Sequence, residues 1–495
     1  MRKKLALLLA ALMASSTMLM ACGDTTQGSS GTGSTAAGTS DEQEPVTITM
    51  AGESRIVTTL MAEKFNEQNP NITIEYKHPD GSGWISNEML LKWAAAGDLP
   101  DIFYLQNPGV LVQNDLMLDL KPYYDADPDN QLFYQNLVQY SMVGDQMVLL
   151  PYSISFYGLM VNKDLIAANN LEVPDYDWTI DELVTIAQGL TRPGSQLGLY
   201  DVTFWSSLIP QYDTSLEHAG YNRAENTWDL GEAWQTSVQI CADLVVNNYT
   251  AAERLNRIPQ GEDGNWDDWY AASREICGVD DPWVLWQQGG VGIWGEGSYW
   301  SNWDQNNDLY PGFDWDFYPI PVAEEGNISR PTIITDSYAI SKNCENPDAA
   351  YEVLKFFTYS KEGFDARCEI WEEYDAEALK AEYPEMAEAG EILDTMSFNL
   401  SPVDDQEVRD KWCELYNAKP GLRYIIDNMA ESNPFIDGFK LIPGWQEVYT
   451  DIIEPALKES VWTGEKTAAD VAAELQDRVN TVQQEVFAAM EDTAS

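Results

Sequence analysis

The chain opens with a basic triplet, Arg2-Lys3-Lys4, followed by an apolar run from Leu5 to Leu12 and then Leu19-Met20-Ala21-Cys22. From Gly23 to Glu44 it is dominated by Gly, Ser, Thr and Ala, with almost no large apolar side chain. Regular patterning begins at Val46, Ile48 and Met50, whose alternation predicts a strand. Ile56, Val57, Leu60, Met61 and Phe65 then share one helical face until Pro70 ends the pattern. Ile72, Ile74 and Tyr76 alternate again, Met89 to Ala96 reads as a second helix stopped by Gly97 and Pro100, and Asp101 to Leu105 reads as a third strand. This β-α-β-α-β order predicts a mostly parallel sheet covered on both faces, with ligands beyond the carboxyl ends of its strands.

Further on, Thr179 and Glu182 are spaced as a capping box, with Trp178 and Leu183 as its hydrophobic staple. Asn346-Pro347 starts another helix, with Ala350, Val353, Leu354 and Phe357 on one face. The last helix, from about Thr467, aligns Val471, Leu475, Val479, Val482 and Val486.

The first segment reads as an export signal, because its apolar core is short and interrupted for a membrane span and small residues stand at the cut site. Leu19-Met20-Ala21-Cys22 resembles a bacterial lipoprotein signal, which implies that Cys22 is lipidated and becomes the first mature residue after removal of 1–21. Acyl chains there would hold the protein on the outer face of the cell membrane. Residues 22–44 cannot bury enough surface to offset the entropy of ordering, and act as a flexible tether with a reach of about 25 Å.

The sequence is 44% hydrophobic and 12% aromatic, enough for a substantial core and more than one lobe. A formal charge of −53 argues against nucleic acid and anionic lipid as partners. Asp125-Ala-Asp127-Pro-Asp129-Asn130 has the alternating carboxylates of a calcium loop, but Asn136 stands where the bidentate Glu belongs, so no metal and no cofactor are expected. Cys241, Cys277, Cys344, Cys368 and Cys413 show neither CxxC nor zinc spacing; most are expected buried and reduced, and a Cys344–Cys368 disulfide is an open alternative. Gly290-x-Gly292-x-x-Gly295 has dinucleotide-loop spacing, but Pro282 to Gln288 before it reads as helix, against that use.

Several ordered segments resemble the solute-binding proteins of carbohydrate ABC importers, the maltose-binding-protein-like family. They are Leu99-Pro100-Asp101-Ile102-Phe103, Leu118-Asp119-Leu120, Leu150-Pro151-Tyr152, and Leu159 to Leu165, then the Trp178 capping box. Gly289 to Trp294 with Gly297-Ser298-Tyr299-Trp300, Tyr318-Pro319-Ile320-Pro321, and Tyr338 to Lys342 continue the match. The resemblance implies an α/β, two-lobe periplasmic-binding-protein-like fold (type II). Each lobe would be a mostly parallel sheet flanked by helices, with ligand in the cleft between them. It places the first lobe at 45–153 plus about 333–395 and the second at 154–332 plus about 396–495. It also implies an extracytoplasmic, monomeric receptor that binds a carbohydrate, passes it to ABC permease subunits and does no chemistry.

A sugar offers flat C–H faces and a rim of hydroxyls, so its receptor needs aromatic platforms beside fixed donors and acceptors. The chain has 18 Trp and 25 Tyr, most of them expected in the core. Position and the resemblance together single out Trp84, Gln106 and Asn107 after first-lobe strands, and Ser155, Phe156 and Tyr157 on the first crossing between lobes. They also single out Phe204 and Trp205 after a second-lobe strand, Glu296, Tyr299 and Trp300 in a Gly-rich turn, Asp336 on the return crossing, and Trp445 after Pro443-Gly444. Two other classes stay open: a secreted glycoside-active enzyme, whose carboxylate pair could hide among 81 acidic residues, and a peptide-binding or adhesive surface lipoprotein. His78 and His218 sit in no catalytic motif and are expected to serve the surface or packing.

Overall fold

A computed structural model describes residues 45–52, 54–78, 85–105, 108–258, 266–305, 312–394 and 398–494. The export segment, the tether, Cys22, Trp84, Gln106 and Asn107 lie outside the described residues.

The predicted β-α-β-α-β unit is present as β1 (Val46–Ala51), α1 (Arg55–Gln68), β2 (Ile72–Tyr76), α2 (Asn87–Ala95) and β3 (Ile102–Leu105). β1 pairs in parallel with both β2 and β3. Ile48 and Met50 are buried on β1, and Ile56, Met61 and Phe65 on the facing side of α1, so the alternation and the helical stripe meet in one core.

Two long strands organise the rest, β4 (Leu150–Asn162) and, later, Thr332–Ile340. Between them come β5 (Leu197–Leu199), β6 (Val291–Gly297) and β7 (Trp315–Tyr318); the return strand is β8, and Phe435–Ile436 is β9. The sheet runs β2-β1-β3-β8-β4-β6-β5, with β7 on β4 and β9 on β8. β8 is antiparallel to β3 through Ser337–Ile340 and to β4 from Thr332 to Tyr338. β4 in turn pairs with β6 and β7 through Tyr157–Asn162. Each long strand therefore begins in one half of the sheet and ends in the other.

Packing does not divide at the same place. Leu150, Tyr152 and Ile154 of β4 belong to a core with Met50, Phe103 and Ile340 that runs on through Met160 to Leu197, Val291 and Phe317, whereas Leu159 and Val161 belong to a second core with Leu183, Trp234, Val448 and Val479. The Thr179 box is closed in both directions: Glu182 N donates to Thr179 Oγ1 (3.3 Å), and Thr179 N donates to Glu182 Oε2 (2.7 Å). Pro347–Thr358 is the expected helix, with Ala350, Val353, Leu354 and Phe357 buried. In the final helix, Ala468–Ala494, Val471, Leu475 and Val479 are buried.

Residues 398–427 form a back layer to the crossing strands, touching both halves although the sequence groups them with the second lobe. Ile154 N donates to Leu400 O (2.7 Å) and Tyr134 N to Pro402 O (3.2 Å). On the other side, Tyr416 OH donates to Ser298 O (2.9 Å) and Gly421 N to Asp316 Oδ1 (3.1 Å). The glycines at 290, 292 and 295 lie at or in β6, and the segment before it is helical from Pro282 to Gln287, which is not a dinucleotide loop. Lys355 Nζ lies between Asp127 and Asp129, 2.7 Å from each, so an ammonium ties the carboxylates of the calcium-like loop. Cys344 and Cys368 are free thiols, not a disulfide, as are Cys241, Cys277 and Cys413.

Candidate ligand cleft

The crossing strands put one row of side chains on a common face. Asp336 is registered with Ser153, Ile334 with Ser155, and Thr332 with Tyr157. Ser155 is buried and donates to Ile334 O (3.4 Å), while Asp336 is half-buried and accepts from Tyr104 OH (3.1 Å), a first-half residue. Alternation turns Phe156 to the opposite face; it is buried there, with its N–H donating to Ser298 Oγ (3.0 Å). Of the first-crossing candidates, Tyr157 is therefore the one with part of its surface open.

Tyr157 meets the loop after β5. Its hydroxyl contacts Thr203 Oγ1, which donates to Asp201 Oδ1; Thr203 N donates to the same oxygen (3.0 Å). Burial pushes the Asp201 carboxyl up to about 7, with Glu253 and Glu296 adding to the rise. The Tyr157 hydroxyl is raised well above its ordinary value, by burial first and then by Asp201. Glu253, itself raised by burial, fixes the loop by accepting from Val202 N (2.9 Å) and Thr250 Oγ1 (2.7 Å).

The parallel neighbour β6 ends in the Gly-rich turn. Glu296 accepts from Gly297 N (3.0 Å) and Tyr299 OH (3.4 Å), and burial raises its carboxyl. Tyr299 is 41% exposed. A Cβ at Gly297 would stand 2.2 Å from Tyr299 Cε1, so glycine is what lets the ring fold over the turn. Trp300 is half-buried, 5.7 Å from the Trp283 ring. Among the described candidates, Tyr157, Glu296, Tyr299, Trp300 and Asp336 keep part of their surface open.

Phe204 is completely buried in the second core, and Trp205 and Trp445 are nearly so. Trp445 stacks on Tyr449 (4.1 Å) and His218 (5.2 Å), and Tyr449 in turn faces Trp205 (6.3 Å). Tyr449 lies in a π-helical stretch, Gln446–Ile453, a wider turn often found at functional sites. Together with Thr203, Trp205, Glu253, Arg257 and Trp462 it lines a cavity of about 270 Å³. Asp201, Thr203 and Tyr449 were not singled out from the sequence. Asp201-x-Thr203 directly after a strand is an Asx-turn pattern that could have been read, whereas nothing local marks Tyr449.

A sheet whose crossing strands join two cores, with aromatic rings and carboxyl groups gathered where they meet, defines a two-lobed binding protein. The chain belongs to the bacterial extracellular solute-binding protein family, whose model matches residues 51–362. That membership places it outside the cytoplasm. No curated protein matches it. It is similar in fold to the ABC substrate-binding protein Lmo0181 from Listeria monocytogenes in complex with cycloalternan, with 16% identity, 89% of this chain and 100% of that one covered, and a TM-score of 0.60. It is also similar to the sugar-binding protein MalE from Xanthomonas citri, with 16% identity, 89% and 98% coverage, and a TM-score of 0.61. MalE from Bdellovibrio bacteriovorus bound to maltotriose is another, with 16% identity, 89% and 99% coverage, and a TM-score of 0.52.

Proposed function

We propose that this protein is a lipid-anchored receptor that binds a neutral oligosaccharide outside the cell and delivers it to an ABC permease. Cys22 carries the anchor and residues 22–44 are the tether. The observation that carries the reading is the Tyr299–Glu296 turn beside the Tyr157–Thr203–Asp201 chain: an exposed flat ring flanked by hydroxyls and carboxyls in a strongly acidic protein. That set suits stacking on a sugar face and hydrogen bonding to its hydroxyls, and disfavours anionic solutes. Glycan ligands in the named fold neighbours support the same class.

The lobes are 45–153 with about 333–395, and 154–332 with about 396–495, and they close about the β4–β8 crossing. Ligand shifts the equilibrium because it contacts both lobes and so binds the closed form better. The protein binds and performs no chemistry.

A thermal-unfolding panel of mono- and oligosaccharides, short peptides and metal ions tests the assignment. A neutral saccharide at 100 times its dissociation constant should add about 2.7 kcal/mol of stability. Stabilisation by peptides or ions, with none by any sugar, would reject it.

A further inference from the structure

Trp266, Trp269 and Tyr270 form an aromatic group at the start of the helix Asp267–Cys277. Their rings meet edge to face, Trp266 on Trp269 at 5.8 Å and Trp269 on Tyr270 at 5.6 Å. Trp269 packs against the first core and anchors the group, while Trp266 and Tyr270 are each 39% exposed. Large rings gathered by a partly buried neighbour and left partly open to solvent form an apolar patch of the kind that marks contact sites.

The helix direction locates them. Its C-terminal end meets the entry to β5, where Gly194 N donates to Ile276 O (3.1 Å). β5 and β6 are parallel neighbours, so the chain between them must return from the exit edge of the sheet to its entry edge. An 11-residue helix is about 16 Å long, enough to carry its other end back towards that exit edge. The exit edge is where Asp201 and Thr203 follow β5 and Ser298 and Tyr299 follow β6. Trp266 and Tyr270 are thus at the end of the helix directed towards the exit edge.

We propose that Trp266 and Tyr270 are an accessory platform for the sugar units of a long neutral oligosaccharide that emerge past Tyr299. This rests on the carbohydrate reading above and narrows it to chains longer than the cleft holds. The occupant is uncharged: between Arg257 and Arg274 the sequence has no cation, and Asp267 and Asp268 are exposed beside the rings, a setting that repels lipid headgroups and nucleic acid but accepts from hydroxyls.

Calorimetric titration of the full chain with trisaccharides and heptasaccharides of the maltodextrin and galacto-oligosaccharide series tests this. The wild type should bind the heptasaccharide of one series tighter than its trisaccharide. Trp266→Ala/Tyr270→Ala should keep the trisaccharide affinity and its own melting temperature while losing about five- to tenfold on the heptasaccharide. Equal losses at both lengths, an unchanged heptasaccharide affinity, or a wild type indifferent to length would overturn the platform. So would sedimentation showing a wild-type dimer that the variant abolishes, because the rings would then face a second copy. A wild type that binds neither length in any series would overturn the carbohydrate reading itself, and the platform with it.

Discussion

The hydroxyl of Tyr157, on a strand shared by both halves of the sheet, touches the hydroxyl of Thr203, in the loop that leaves β5. Through Thr203 it is coupled to Asp201, a buried carboxyl held protonated up to about neutral pH. The crossing strand and the loop after β5 are therefore joined by a polar chain.

Asp201 gives stability a definite pH dependence. Its folded value, near 7, lies above its unfolded value, so the folded state binds more protons between the two, and stability falls as pH rises from about 4 to 7. The contribution is on the order of a few kcal/mol. Thermal unfolding between pH 5 and 8 should show the wild type losing more than Asp201→Asn; identical slopes would remove Asp201 as the source. Glu253, raised in the same direction, leaves a residual slope in the variant.

Tyr299→Ala should weaken saccharide binding by about 1–3 kcal/mol while changing the melting temperature little, since the residue is partly open to solvent and belongs to neither core. Gly297→Ala should weaken it as well, because the added methyl displaces the same ring. Titration of both variants checks the pair. A fall in stability without a change in affinity would return Tyr299 to a packing role.

Asp316 is fully buried and holds the back layer to β7, accepting from Gly421 N (3.1 Å) and Tyr176 OH (2.6 Å). Asp316→Ala leaves those donors without an acceptor and should cost about 2–4 kcal/mol in denaturant unfolding. Gly421→Ala should be of similar size, as its Cβ would sit 2.1 Å from Phe317 O. A neutral result for both would mean that residues 398–427 add little to the join.

Cys22→Ser should release the protein from cells into the medium, and the wild type should partition into the detergent phase on Triton X-114 separation where the variant stays aqueous. Equal partition of both would remove the lipid anchor.

Sequence was most informative where partners are close along the chain. The β1–β3 unit could be read because alternation and helical periodicity succeed each other within one short stretch, and the Thr179 box because its bonds span three residues. Of the proposed site, Tyr157 and Asp336 follow from positions within the crossing strands, and Glu296 and Tyr299 from the strand end and turn after them. Trp445, after Pro443-Gly444, looked like a loop residue, but its ring is covered by His218, more than two hundred positions away, and such a partner leaves no local trace. Asp201 was lost among 81 acidic residues, since what distinguishes it is burial. The back layer was illegible for the same reason: Leu400 finds Ile154 and Tyr416 finds Ser298 only in three dimensions.

Small-angle scattering of the receptor, with and without a saturating neutral oligosaccharide, tests hinge closure on a sugar most directly. The radius of gyration should fall with the sugar, saturating at one equivalent, and Tyr299→Ala should need a higher sugar concentration for the same fall. Bound sugar with an unchanged scattering profile would contradict closure.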